Sequence, residues 1–237
     1  MRRGPPYDSA CSRPLGGNSL SAIEVQQSQD MNRLRWTFSP LLAISLAFGQ
    51  TDEQDRRFVA HIQEALALKR GAVVADIGTG ESPEQPLHIA KAVGDSGKVI
   101  CIDIDERALE KLRRTLNENG LTNVQTRLGK PDDPMLPAHS VDAVLIAYAY
   151  HHFLESGAML AHIRSALRPE GRLVIIEAIS EMNRGLPRER QIKDHELSPG
   201  ILGSELKAAG FEIPNGVEVL VENGGVLRYL FSARVAK

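Results

Sequence analysis

The chain has 237 residues, 42% hydrophobic and 24% charged, enough for one soluble domain with a real core and some surplus. Its 28 basic and 30 acidic side chains give a formal charge of −2, which excludes a global field that would recruit nucleic acid. Cys11 lies in a polar tail and Cys101 in an apolar run, so neither a disulfide framework nor a cysteine zinc site is indicated. No apolar run reaches the roughly 18–20 residues of a membrane span.

Residues 1–30 are rich in Gly, Pro, Ser, Gln and Asn without periodicity, the composition of a disordered tail. Residues 31–49 change character. Arg33 and Arg35 precede a short apolar stretch, and Ala47-Phe48-Gly49 places small residues before Gln50. That order is like a secretory signal peptide starting at Met31, with an amphipathic arm or first helix as the alternative. The protein is then expected to be cytoplasmic, or exported if this segment is cleaved. Residues 1–50 read as a tail or signal-like segment, and residues 51–237 as one domain.

Thr51 and Gln54 form a capping box for a helix with Phe58, Val59, Ile62, Ala65 and Leu66 on its core face, closed by Lys69-Arg70-Gly71. A buried strand is expected over 72–77. A helix follows over 83–93, then a strand over 98–104. Asp105 caps a third helix with Leu109, Leu112 and Leu116 inward and Gly120 at its end. Strands are predicted at 124–128, 142–147 and 173–179. Between the last two lies a helix marked by Met159, Leu160, Ile163 and Leu167, ending at Pro169-Glu170-Gly171. Ser198-Pro199 opens a helix with Leu202 and Leu206 that stops at Gly210. The strand-like runs 217–221 and 226–235, joined by Asn223-Gly224-Gly225, predict an antiparallel hairpin. Alternating strands and helices imply a parallel sheet with helices on both faces.

The first strand runs straight into Asp76-Ile77-Gly78-Thr79-Gly80, an acid and a glycine turn where α/β proteins place a nucleotide against a helix N-terminus. This segment resembles the first motif of class I S-adenosylmethionine-dependent methyltransferases, of the type 11-like kind. So do its spacing to Ile102-Asp103-Ile104-Asp105, the turn Gly129-Lys130-Pro131-Asp132-Asp133, the run from Asp142 to Phe153, and the Arg168-to-Glu177 turn and strand. The resemblance covers nearly all of residues 51–237. It implies a Rossmann-like three-layer α/β/α sandwich, with a mostly parallel seven-stranded sheet ending in an antiparallel hairpin.

The resemblance also implies S-adenosyl-L-methionine as cofactor. Asp76, Gly78, Thr79 and Gly80 would meet its methionine part, Asp103 its ribose hydroxyls, Ile104 its adenine face, and Asp132 or Asp133 its adenine amino group. The paired acids have the alternative of a solvated turn. Where the family usually has a third glycine this chain has Ser82, beside the added charge of Glu81.

His151 and His152 stand at the carboxyl edge of the fourth strand, as candidate bases or as pocket wall. Tyr148 and His195 are candidate acceptor contacts. His195 and Glu196 pair a histidine with an acid, which could suggest a metal, but no third ligand is spaced in sequence to join them and none is expected. The function expected is methyl transfer to a small molecule, without nucleic acid or an integral membrane span, and with the oligomeric state open. The alternative is a module of the same fold that binds the cofactor or S-adenosylhomocysteine without turnover. A nicotinamide-dependent oxidoreductase would want a glycine where Pro83 stands.

Overall fold

The computed structural model describes residues 52–236. The expected tail, the signal-like segment 31–49 and the cap at Thr51 lie outside these residues. The described chain folds as α1 (Asp52–Ala65), β1 (Val73–Ile77), α2 (Glu84–Val93), β2 (Lys98–Asp103), α3 (Glu106–Glu118), β3 (Val124–Leu128), β4 (Val141–Ala147), a 3₁₀ turn (Tyr150–His152), α4 (Ser156–Ala166) and β5 (Leu167–Ser180). There follow α5 (Arg188–Gln191), a second 3₁₀ turn (Ile192–Asp194), α6 (Pro199–Ala208), β6 (Phe211–Glu212), β7 (Val217–Asn223) and β8 (Val226–Val235).

The strands form one mixed sheet in the order β3-β2-β1-β4-β5-β8-β6, with β7 also paired to β8. Pairings from β3 to β5 are parallel, and those of β8 with β5, β6 and β7 are antiparallel. The sheet therefore has eight strands where seven were expected. The addition is two-residue β6, which takes up the end of β8 beyond the reach of β7. The hairpin turn is as predicted, with Gly224 at φ 59° and Gly225 at φ 77°, the left-handed pair that a two-residue turn needs.

Period-two alternation divides the strand side chains between two cores. Val74, Val99, Cys101, Leu145, Val174 and Ile176 pack with Ile62, Ile89, Val93, Leu112 and Leu116 of α1, α2 and α3. Ala75, Ile77, Ile102, Val144, Ile146 and Ile175 pack with Met159, Leu160, Ile163, Leu202 and Leu206 of α4 and α6. The sheet is thus covered on both faces, which is why its strands read as continuous apolar runs.

Two boundaries differ from the periodicity. The first helix ends at Ala65 rather than near Lys69, because Ala67 turns to φ 49° and breaks the ladder. Leu167 belongs to β5 rather than to the preceding helix. The register between β4 and β5 jumps from Val141↔Leu167 to Ala143↔Arg172, so Pro169-Glu170-Gly171 bulges out of a strand instead of ending a helix.

Candidate active site

The parallel strands all point their carboxyl ends to one edge, and the expected cofactor residues converge there. At the end of β1, Gly78 N–H and Thr79 N–H both donate to the Ile102 carbonyl of β2, at 2.8 and 3.2 Å. Gly80 N–H donates to Asp103 Oδ2 at 2.8 Å, and Asp105 N–H to Asp103 Oδ1 at 3.0 Å. One carboxylate thus ties the glycine turn to the end of β2, and its remaining lone pairs are available to ligand hydroxyls. Asp105 then caps α3, its Oδ1 accepting from Arg107 N–H at 2.9 Å.

The two glycines do different work. A Cβ on Gly78, at φ 74°, would meet the Ala149 Cβ at 2.4 Å, so this glycine admits the chain leaving β4. A Cβ on Gly80, at φ 61°, meets nothing within 4 Å, which leaves backbone open to close approach by a ligand.

Asp76 is buried, and Thr79 Oγ1 donates to it at 2.8 Å. Burial pushes its carboxyl up to about 6, the Thr79 hydrogen bond opposes this, and the charge of Asp103 adds to it. A cation bound between Asp76 and Asp103 would relieve both effects. Ile104 is 61% exposed beside Asp103, an uncovered apolar face where the resemblance places adenine. The glycine backbone, the acid pair and the exposed isoleucine fit a cationic nucleoside cofactor.

Other expected residues sit less simply. Asp133 Oδ1 accepts from Met135 N–H at 2.7 Å, inside a turn closed by Lys130 N–H to the Asp133 carbonyl at 2.8 Å. Its carboxylate shapes that turn, while Asp132 is exposed at the rim. Glu81 is exposed and pairs with Lys111 of α3 at 2.8 Å. Ser82 Oγ lies 3.5 Å from Glu84 N–H at the start of α2. Tyr148, at φ 54°, packs towards the α1–α3 core, and burial raises its phenol.

The histidines converge. His151 is buried, and both its backbone N–H and its ring Nδ1 meet the carboxylate of Glu177 on β5, with ring contacts of 3.1 and 3.0 Å. His152 and His195 are exposed, with ring centroids 4.1 and 5.6 Å from that of His151 and 5.1 Å from each other. Partial burial and the neighbouring imidazoles of His151 and His195 hold His152 down at about 4 against the opposing pull of Asp103, so it is neutral at physiological pH. Tyr150 is fully buried and donates to Glu205 Oε2 at 2.7 Å, while Arg188 Nε donates to Glu205 Oε1 at 2.7 Å. Sequence reasoning missed Glu177, although an acid at the carboxyl end of an apolar strand was a signal. A cleft of about 510 Å³ lined by Arg70, Asp142, Arg168 and Arg172 opens at the opposite ends of the strands, away from all these groups.

Residues 74–171 match the family model described as a methyltransferase domain. Over these residues, and in its fold, the chain is similar to class I S-adenosylmethionine-dependent methyltransferases. Among solved structures, it is similar to an S-adenosylmethionine-dependent methyltransferase from Aquifex aeolicus, at 28% identity and a TM-score of 0.61, over 74% of this chain and 88% of that one. Among curated proteins, it is 34% identical over 103 residues to nocamycin O-methyltransferase of Saccharothrix syringae, covering 44% of this chain and 36% of that one. It is 28% identical over 120 residues to the ubiquinone/menaquinone biosynthesis C-methyltransferase UbiE of Shewanella frigidimarina, covering 49% and 47%. The chain therefore spans about half or less of the length of these curated relatives. Along the sheet, the glycine turn tied to Asp103 follows β1, and the histidines and Glu177 lie at the ends of the next strands, β4 and β5.

Proposed function

We propose that this chain transfers a methyl group from S-adenosyl-L-methionine to a small-molecule acceptor with an apolar body. The carrying observation is Asp103, whose carboxylate joins the glycine turn of β1 to the end of β2 and leaves lone pairs beside exposed Ile104. When bound, the cofactor supplies an electrophilic methyl group on a sulfonium, for displacement by the acceptor. The chain's own part is alignment and charge. Gly80 offers backbone to the methionine end, Asp76 a buried anion, and Asp103 acceptors for two hydroxyls.

The acceptor class is supported by what lies around this edge. Ile104, Leu128, Met135, Leu154, Met182 and Leu186 are all exposed apolar side chains at or beyond strand carboxyl ends. Such a rim favours an apolar molecule over a charged polymer. The named activities of the relatives, on nocamycin and in quinone biosynthesis, support the same class. In the loop after β5, Arg184 pairs with Glu222 and Arg188 with Glu205, each at 2.7 Å, which offsets two of its positive charges. Neutral His152 can accept a proton from an acceptor hydroxyl, although its low basicity makes it a weak base.

The second reading, a binding module without turnover, came from Glu81 and Ser82. Pairing of Glu81 with Lys111 weakens that motive by giving the charge a cation partner within the protein. Release of S-adenosylhomocysteine, followed on a panel of phenols, quinols and prenylated acceptors, tests the two. Turnover on any of them supports the enzyme. Tight cofactor binding with no turnover on the panel supports the module.

A further inference from the structure

We propose that His151, His152 and His195 form a binding site for a zinc-type divalent cation, with Glu177 as the carboxylate that orients the buried ligand. Each histidine brings one ring nitrogen within 4.8 Å of the others, although His195 comes from a different loop. Three imidazoles are a ligand set for borderline cations such as Zn²⁺ or Co²⁺, and oxygen-seeking Mg²⁺ or Ca²⁺ are not suited to it.

A second observation points to a ligand independently of this clustering. His151 is 5% exposed, and its Nε2 is a buried side-chain nitrogen with no hydrogen-bond partner among the described residues. Its other ring nitrogen is committed to Glu177 at 3.0 Å. With the proton on Nδ1, the neutral ring presents the Nε2 lone pair, and nothing among the described residues uses it. A buried, unmade acceptor is costly unless something fills it. Carboxylate to Nδ1–H, with Nε2 left for the ion, is the arrangement by which proteins fix metal-binding histidines.

The geometry needs only small adjustment. Zn–N bonds of about 2.0–2.1 Å in a tetrahedron place ligand nitrogens roughly 3.4 Å apart. The present separations, up to 4.8 Å, must close by about 1.5 Å, and the rings that would turn are exposed His152 and His195. His151 stays fixed by Glu177. The loop that presents His195 is itself pinned on both flanks. Asn183 Nδ2 donates to Asp194 Oδ2 at 3.1 Å and to Glu196 Oε2 at 2.7 Å, and Ser180 Oγ donates to the same Glu196 oxygen at 2.8 Å. His195 N–H donates to the Ile192 carbonyl at 3.2 Å, which holds the residue at φ 57°. Three protein ligands leave a fourth position for water or a ligand heteroatom. On the methyltransferase reading that heteroatom belongs to the acceptor, but binding of the ion does not depend on that reading.

The test is calorimetric titration of the full-length, chelator-stripped protein with Zn²⁺, paired with Co²⁺ absorption spectra that report tetrahedral geometry. Wild type should bind one Zn²⁺ per chain. His195→Asn, which removes the imidazole but suits a left-handed backbone, and His152→Ala should each weaken it at least tenfold. Glu177→Gln should weaken it by about 10–100-fold. His195→Cys, which restores a zinc ligand, should recover binding. Thermal melting and S-adenosylmethionine binding serve as fold controls for each variant, so a variant that has merely unfolded is recognised. The proposal is overturned if wild type takes up no Zn²⁺ at millimolar metal, or if His195→Asn binds it as wild type does. Either result leaves the cofactor site, measured separately, untouched.

Discussion

Replacing Asp76 by Asn removes a charge from the buried end of β1 while keeping a carbonyl oxygen for Thr79 Oγ1 to donate to. In the folded chain Asp76 titrates at about 6 rather than at its ordinary 3.8, chiefly through burial. Between those values the folded state holds a proton that the unfolded state has lost, so stability falls as pH rises through roughly 4 to 6. Two units of displacement at 1.36 kcal/mol each make the charged form cost about 3 kcal/mol at pH 7 and nothing below pH 4. The Asn side chain does not titrate. Chemical denaturation of both proteins from pH 4 to 7.5 should therefore show the variant gaining about 3 kcal/mol on wild type across that range. Packing differences between Asn and Asp shift the whole curve and not its slope, and other groups cancel between the two proteins. A stability difference that stays flat with pH would refute the assignment of Asp76 as a strained buried acid. The same variant should bind S-adenosylmethionine more weakly, since the anion facing a cation is gone.

Gly78→Ala and Gly80→Ala separate the two glycines. The first meets Ala149 at 2.4 Å in a left-handed backbone and should cost roughly 2–5 kcal/mol in denaturation. The second has open space, so it should cost only about 1–2 kcal/mol while its added methyl group weakens cofactor binding in calorimetry. Equal destabilisation by both would contradict this division. Tyr150→Phe removes the 2.7 Å donor to Glu205 but leaves Arg188 in place, and should lower stability by about 1–2 kcal/mol without changing cofactor affinity. A change in affinity instead would place Tyr150 in the pocket wall.

Much of the fold was legible because its signals are local. Leu109, Leu112 and Leu116 repeat at helical spacing and are all buried on α3, and Asn223-Gly224-Gly225 dictates its turn through positive φ. The turn at Asp76-Ile77-Gly78-Thr79-Gly80 and the acid at Asp103 were legible together, since their spacing follows from one βαβ unit. What stayed hidden depends on contacts across the sheet. Glu177 and His151 sit on neighbouring strand ends and each reads alone as an odd polar residue in an apolar run. His195 joins the other histidines only because the loop after β5 folds back, fixed by Asn183 and Glu196. Glu81 looked like a charge beside the cofactor because sequence gives no direction to a side chain, and Lys111 one helix later supplies it. The bulge at Pro169-Glu170-Gly171 reads in sequence as a helix end because both uses favour the same residues.

Calorimetric titration with S-adenosylmethionine, on wild type and Asp103→Ala, tests the central claim most directly. Asp103 links Gly80 to Asp105 and holds the acceptors for two hydroxyls, so wild type should bind one equivalent and the variant none. Failure of the folded wild type to bind at millimolar cofactor, or undiminished binding by the variant, would contradict the account.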